Sequence, residues 1–268
     1  MKLSLAGSDT AVFLSDIHLP ETAAADSDPS GFLPALAHGL MVPCTHLFVL
    51  GDLFEFWAGD DLEPPGRLAF VAALRAWRNR AASAPRVFFM HGNRDLLLGS
   101  GFLAEVGAGL LPDPCAIEAF GIRVLLSHGD AWCTDDLDYQ RFRSEVRDPG
   151  WQNRFLALRP GERLESIHKM RSGSEAAKRG KPEAIMDVNS NAIRKAFEES
   201  RTTVIIHGHT HRPSRHLDAA GNIRWVLPDW QAGKRRGGWL RLDRHGTRAE
   251  GPFGDWTQAG GWLSPQAG

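Results

Sequence analysis

Ala11-Val12-Phe13-Leu14-Ser15-Asp16-Ile17-His18 sets four apolar residues just ahead of an Asp-x-His pair. An unbroken apolar run of this length reads as a buried strand. Such a strand delivers the Asp and His at its carboxyl end, into the crevice where open α/β sheets bind ligands. Four further segments repeat the plan. Leu47-Phe48-Val49-Leu50 precedes Gly51-Asp52, and Val87-Phe88-Phe89-Met90 precedes Gly92-Asn93-Arg94-Asp95. Val124-Leu125-Leu126 precedes His128-Gly129-Asp130, and Thr203-Val204-Ile205-Ile206 precedes Gly208-His209-Thr210-His211. Five strand ends can build one shared metal site. Hard carboxylate and amide oxygens with imidazole suit Mn²⁺, Fe²⁺ or Zn²⁺ better than a thiolate-loving metal. His91 and His207 each precede their glycine, one pleat out of phase, and are expected to face elsewhere.

The chain has 268 residues, 43% of them hydrophobic, which supports a sizeable core and suits an α/β fold running as one unit. Its 31 Lys and Arg against 32 Asp and Glu leave a net charge of −1, which argues against a nucleic-acid binder. Cys44, Cys115 and Cys133 form no CxxC pair and point to a reducing compartment. The N-terminus lacks the apolar core of a signal peptide. The longest mainly apolar stretch, 39–59, is broken by Pro43, His46, Asp52 and Glu55 and cannot span a membrane. A cytoplasmic protein is expected, with peripheral membrane contact only and no sign of an obligate protein partner.

Strands alternate with helical patterns up to about residue 106, including Phe32 to Leu40 and Arg67 to Arg80. Two strands joined at Phe120-Gly121 lead to His128, and strands return at Arg224–Leu227 and Gly238–Leu242. Between them, 134–200 carries helical patterns at 136–146, 151–158, 163–178 and 182–199 and no strand. Residues 141–200 hold 13 Lys and Arg against 9 Asp and Glu, a basic excess in a nearly neutral chain. The expected division is a core of 10–133 and 201–245, a helical cap at 134–200 between the fourth and fifth metal motifs, and an unassigned tail at 250–268. A basic helical run by itself is usually a solvated face. Here both ends lie beside metal motifs, so substrate contact is the stronger reading.

The order DxH, GD, GN-x, H and GHxH resembles the calcineurin-like metallophosphoesterases, over roughly residues 10 to 230. The resemblance implies a four-layer αββα sandwich and a pair of cations. Asp16, His18 and His211 would hold one, Asn93, His128 and His209 the other, and Asp52 would bridge both. Two cations about 3.5–4 Å apart clamp a phosphoryl group and activate water for in-line attack. Many members carry His where Arg94 stands. Arginine cannot donate a proton near neutral pH but can fork onto phosphate. It suits a leaving group that needs little protonation, as in cleavage of a P–O–P link.

With the helical insert, Asp136-Leu137-Asp138-Tyr139 and Ile185-Met186-Asp187-Val188-Asn189, the chain also resembles the UDP-2,3-diacylglucosamine diphosphatase family. That family implies hydrolysis of a UDP-linked diacylated glucosamine lipid to the sugar 1-phosphate and UMP, in lipid A biosynthesis. It also implies two Mn²⁺, with Mg²⁺, Fe²⁺ or Zn²⁺ as possible substitutes, at the cytoplasmic face of a Gram-negative inner membrane. Asp52, Arg94 and His209 would serve catalysis. Substrate would meet Asn93, Arg94, Asp136, Tyr139, Arg171, Ser174, Lys178, Lys181 and His209. Lys178 departs from the Asn expected there. Acyl chains need an apolar chamber, with Trp57, Phe142, Phe155, Leu156 and Met170 as candidates against the plainer reading of core packing. A nucleotide diphosphatase or phosphodiesterase on soluble substrates is the alternative, and would need no apolar chamber. A metal-free scaffold would need lost ligands, and all seven are present.

Overall fold

The structure, a computed structural model, describes residues 3–22, 28–37, 43–80, 84–178, 183–254 and 256, with the backbone alone for 174–178 and 183–184. Two six-stranded sheets carry the fold. In the first, β2 (Thr10–Leu14), β3 (His46–Leu50), β4 (Arg86–Met90) and β5 (Ala108–Leu111) run parallel. The antiparallel pair β11 (Trp239–Asp243) and β12 (Gly246–Glu250) extends it past β2. The second runs in the order β1 (Ser4–Leu5), β6 (Cys115–Ala119), β7 (Ile122–Ser127), β8 (Val204–His207), β10 (Ile223–Val226) and β9 (Ser214–Leu217).

Alternate side chains of the central strands go to opposite faces. Phe13, Phe48 and Phe88 face the second sheet and meet Ile117, Val124, Leu126, Ile206 and Trp225. The three phenylalanines are in register, and their rings stack at 4.8 and 5.2 Å. Val12, Leu14, Leu47, Val49, Val87 and Phe89 face the other way, onto α1 (Phe32–Ala37), α2 (Pro65–Arg80) and α3 (Ser100–Val106). Burial on both faces is why these strands read as continuous apolar runs. Each fully buried large side chain contributes roughly 1.5–3 kcal/mol. In α2, Gly66, Phe70, Ala73, Leu74 and Trp77 repeat at helical spacing and are the buried face. Leu125 and Ile205 on the far side of the second sheet pack against Phe197 of α7 (Ser190–Ser200). The layers are therefore helix, sheet, sheet, helix, as expected.

β7 and β8 are parallel neighbours. The chain between them carries α4 (Leu137–Val146), α5 (Pro149–Leu156), α6 (Pro160–Lys178) and then α7. Among the described residues of 134–200 there is no strand. The expected cap of 134–200 includes α7, whose Phe197 packs on Leu125 and Ile205 of the second sheet and so lies against the sandwich. The start of α7 is set by Asn189, whose side chain accepts from Asn191 and Ala192 N–H, so the helix read from 182 begins at Ser190. The sheets reach beyond the expected core of 10–133 and 201–245, because β1 pairs with β6 and β12 with β11, so they run from Ser4 to Glu250. α1 is described over Phe32–Ala37, and 38–40 of the helix expected there lie outside the described residues. Of the unassigned tail, Trp256 donates through Nε1 to Trp239 O and Glu250 O, and the rest lies outside the described residues apart from 250–254.

Candidate metal centre and adjoining cavity

All seven candidate ligands stand at strand ends and converge. Asp16 and His18 follow β2, Asp52 follows β3, Asn93 follows β4, His128 follows β7, and His209 and His211 follow β8. Asp16, His18 and His211 offer ligand atoms within 4.8 Å of one another, and so do Asp16, Asp52 and His128. Asp52 Oδ2 lies 3.9 Å from His18 Nε2 and 3.7 Å from His128 Nε2, between the two groups. His211 Nε2 is 3.2 Å from His18 Nε2 and 3.3 Å from Asp16 Oδ1, and His128 Nε2 is 3.1 Å from Asn93 Oδ1. Ligand atoms about 2.0–2.2 Å from one cation stand ~3.0–3.5 Å apart, so the 3.1, 3.2 and 3.3 Å separations fit shared coordination.

Asp16 supplies the test of fit. Its Oδ2 accepts from Ser15 Oγ at 2.5 Å and from His209 N–H at 2.9 Å. Its Oδ1 is buried with no hydrogen-bond partner and faces His211 and His18. An orphaned carboxylate oxygen among imidazole nitrogens is costly unless a cation fills the gap. The imidazoles are aimed from behind as well. His128 Nδ1 is 2.9 Å from Leu50 O, His18 Nδ1 is 3.1 Å from Glu55 Oε2, and His211 Nδ1 is 3.7 Å from Asp229 Oδ2. Each leaves Nε2 turned inward, the arrangement by which outer groups orient metal-binding histidines. The residues fit a pair of divalent cations.

Electrostatics agree. Burial pushes the Asp52 carboxyl up against the opposing pull of His128 and His18, and the Asp95 and Asp16 charges push it further. Burial would keep His128 neutral, but Asp52, Asp16 and Asp130 push it up to about 9. Burial and the His128 charge bring His209 down to about 3. Charge of both signs is packed here without compensation from solvent.

Backbone is strained at the same place. Asp16, His18, Asp52, His209 and His211 all have positive φ, from 53° to 69°. Glycines allow the crowding. A Cβ on Gly92 would strike Asp52, and one on Gly208 would strike Ser15 and Asp16. Asp95 anchors two of the loops, accepting from the N–H groups of Asp52 at 3.2 Å, Leu53 at 2.8 Å and Gly92 at 2.8 Å.

His207 and His91 face away, as their phase requires. His207 Nε2 is 3.0 Å from Arg224 Nη1, and His91 Nε2 is 2.7 Å from Leu98 O. Burial and Arg224 bring His207 down to about 3.

A cavity of about 290 Å³ opens beside the ligands. His18, Asp52, Asn93, His209 and His211 form its floor, joined by Arg94, Asp136, Tyr139 and Arg171. Its walls are apolar: Trp57 and Phe56 from the loop after Asp52, Phe142 and Val146 from α4, Trp151 and Phe155 from α5, and Ile167 and Met170 from α6. Four of the five expected chamber residues are thus on one wall. Leu156 is not; it is half exposed and lies by Gly59, because its helical phase turns it away from Phe155. The side chains of Ser174 and Lys178, and all of Lys181, lie outside the described residues.

Tyr139 and Asp136 are partly engaged already. Tyr139 OH donates to Asp130 Oδ2 at 2.9 Å, and Asp136 caps α4 by accepting from Tyr139 N–H at 3.1 Å. Asp130 also binds Arg143 at 2.9 Å and Arg147 at 3.3 Å, tying α4 to the fourth motif. Asp95, Asp130, Glu55 and Asp229 were not singled out in the sequence reading. Three of them sit inside or just after a quoted motif, and that adjacency was the available signal.

The sequence pattern of the calcineurin-like phosphoesterases matches residues 10–213. The chain belongs to this family. It is accordingly a metal-dependent hydrolase by family and by the site just described. It is similar to the UDP-2,3-diacylglucosamine hydrolase of Chromobacterium violaceum, 46% identical over 88% of this chain and 96% of that one. The proteins of the same name from Bordetella parapertussis and Escherichia fergusonii are 43% and 44% identical, over 87% and 82% of this phosphoesterase and 91% and 90% of their own lengths.

Proposed function

We propose that this phosphoesterase hydrolyses the diphosphate of UDP-2,3-diacylglucosamine to 2,3-diacylglucosamine 1-phosphate and UMP. The observation that carries the reading is the continuity of the candidate metal centre with an apolar-walled cavity, since a soluble nucleotide substrate needs no such wall. The names of its relatives support the same substrate. Asp16, His18 and His211 would hold one divalent cation, Asn93, His128 and His209 a second, and Asp52 both. The mixed oxygen and imidazole donors suit Mn²⁺, Fe²⁺ or Zn²⁺, and Mn²⁺ is the cation proposed. Bound there, the cations supply Lewis-acid polarisation of the phosphoryl group and an activated water.

The chain's own groups do the rest. Arg94 and Arg171 place guanidinium charge over the floor of the cavity, where they bind phosphate oxygens. Water would add to phosphorus and release its protons to solvent, the P–O–P bond would break, and the departing phosphate monoester would leave as an anion. Its low basicity explains why an arginine can stand where a proton donor would otherwise be needed. Asp136, Tyr139 and His209 line the same floor and would meet the sugar or uridine.

Turnover of UDP-2,3-diacylglucosamine with added Mn²⁺ in ¹⁸O water tests this, with the label traced to UMP or to the sugar phosphate. UDP-glucose and ADP-ribose should be hydrolysed at least about a hundredfold less efficiently, because they bury no acyl methylenes. Equal rates on all three would sink the substrate assignment.

No helix among the described residues is long and apolar enough to cross a membrane. Leu137, Phe142, Leu156 and Leu158 are nevertheless exposed on or beside α4 and α5, with Arg141 and Arg159 exposed nearby. Arg141 pairs with Asp138 and Arg159 with Glu162, so the exposed apolar side chains carry this reading; they would suit insertion at a bilayer surface. Phe142 is both exposed and part of the cavity lining, so docking through these side chains would bring the cavity mouth to the lipid. Flotation with vesicles of phosphatidylethanolamine and phosphatidylglycerol should carry the protein upward, and changing Leu137, Leu156 and Leu158 to serine should leave most of it at the bottom. Unaltered flotation of that triple variant would remove the membrane-facing surface.

A further inference from the structure

Glu55 touches both halves of the site. Its Oε2 lies 3.1 Å from His18 Nδ1, near enough for a hydrogen bond once ring and carboxylate align. Its Oε1 lies 2.5 Å from Arg171 Nη2 and 3.8 Å from Arg94 Nη1. Arg171 comes from α6, 116 residues along the chain, and its guanidinium also rests 5.6 Å from the Phe56 ring. Arg171 Nε is buried with no hydrogen-bond partner, so the group keeps a donor in reserve. Holding α6 against the core does not by itself call for Glu55. Two turns earlier Arg163 already binds Ala58 O and Asp61 Oδ1, each at 2.7 Å.

Resting on the proposed function, we propose that Glu55 is a positioning residue that serves the metal and the phosphate at once. One oxygen turns His18 so that Nε2 faces the cation, and the other pins one edge of Arg171 so that its remaining donors face the phosphate. A carboxylate behind a metal-binding imidazole fixes its orientation and raises its basicity. A guanidinium pinned along one edge loses less freedom when phosphate takes the other.

Two measurements on the full chain separate this role from plain packing. Mn²⁺ is titrated into metal-free protein by calorimetry, and KM for UDP-2,3-diacylglucosamine is measured with saturating Mn²⁺. Glu55→Ala should weaken Mn²⁺ binding about tenfold or more. Glu55→Gln keeps an acceptor for His18 and should stay within about threefold of the parent for Mn²⁺, while raising KM about three- to tenfold. Arg171→Ala should raise KM and leave Mn²⁺ binding alone. In the Arg171→Ala background, Glu55→Gln should have no further effect on KM. Thermal melts check folding, and Glu55→Met, which fills the space without an acceptor, replaces the alanine variant if that one unfolds. Parental Mn²⁺ affinity in Glu55→Ala, or in Glu55→Met where that replaces it, overturns the His18 half. Additive KM effects of Glu55→Gln and Arg171→Ala overturn the Arg171 half. A parent protein inert toward the diacyl substrate overturns the proposed function instead, and the Mn²⁺ titration still decides Glu55.

Discussion

Asp52→Ala is expected to lower kcat by on the order of a thousandfold or more. The carboxylate stands between two histidines that belong to different ligand groups, at 3.9 and 3.7 Å. By the proposed assignment, removing it would take a ligand from both cations together, so charge stabilisation and water activation would fail at once. Its other oxygen accepts the Arg94 N–H at 2.9 Å, so the arginine proposed to bind phosphate would lose a backbone anchor too. Folding should survive. Burial disfavours the charged carboxylate in the metal-free protein, and a neutral side chain relieves that. The melting temperature without metal should therefore hold or rise while activity collapses. Metal content by mass spectrometry should fall below that of the parent. Activity within tenfold of the parent would end the two-metal assignment.

Phe142→Asn combined with Met170→Gln is expected to lower kcat/KM for the diacyl substrate about ten- to sixtyfold. That corresponds to lost contact with two or three methylenes at ~0.8 kcal/mol each. The same protein should hydrolyse bis(p-nitrophenyl) phosphate within about threefold of the parent, because neither residue is a candidate ligand. These two positions are cleaner probes than Trp57 and Phe155. Trp57 and Phe155 line the cavity but also belong to the main core cluster, so a polar group there would unfold what it was meant to test. Equal losses on both substrates would make this wall ordinary core.

The central strands were legible because burial on both faces makes them continuous apolar runs, as in Leu47–Leu50 and Val87–Met90. β5 was not, because Ala108-Gly109-Leu110-Leu111 is half open to solvent and contains a glycine. Its strand character comes from pairing with β4, which no local pattern announces. α7 was legible as a helix but not as a layer of the sandwich. Its partners Leu125 and Ile205 lie on strands either side of the cap in sequence. The ligand candidates come in short motifs, so chain order alone was enough to collect them. Glu55 and Asp130 act on residues brought close only by folding, such as Arg171 and Arg143, and short-range spacing does not encode those meetings. Leu156 was misplaced because its neighbour Phe155 faces inward, and adjacent residues of a helix point about 100° apart.

Eight non-glycine residues of the described chain carry positive φ, and five of them are candidate ligands. The other three have ordinary reasons: Phe120 and Arg235 lie in tight turns, and Arg201 closes α7. Glycine would suit all five ligand positions better, yet glycine has nothing with which to hold a cation. At these positions the main chain and the side chain want different amino acids, and the side chain has prevailed five times over. Among the described residues, positive torsion angles at residues other than glycine lead to the same crevice five times in eight.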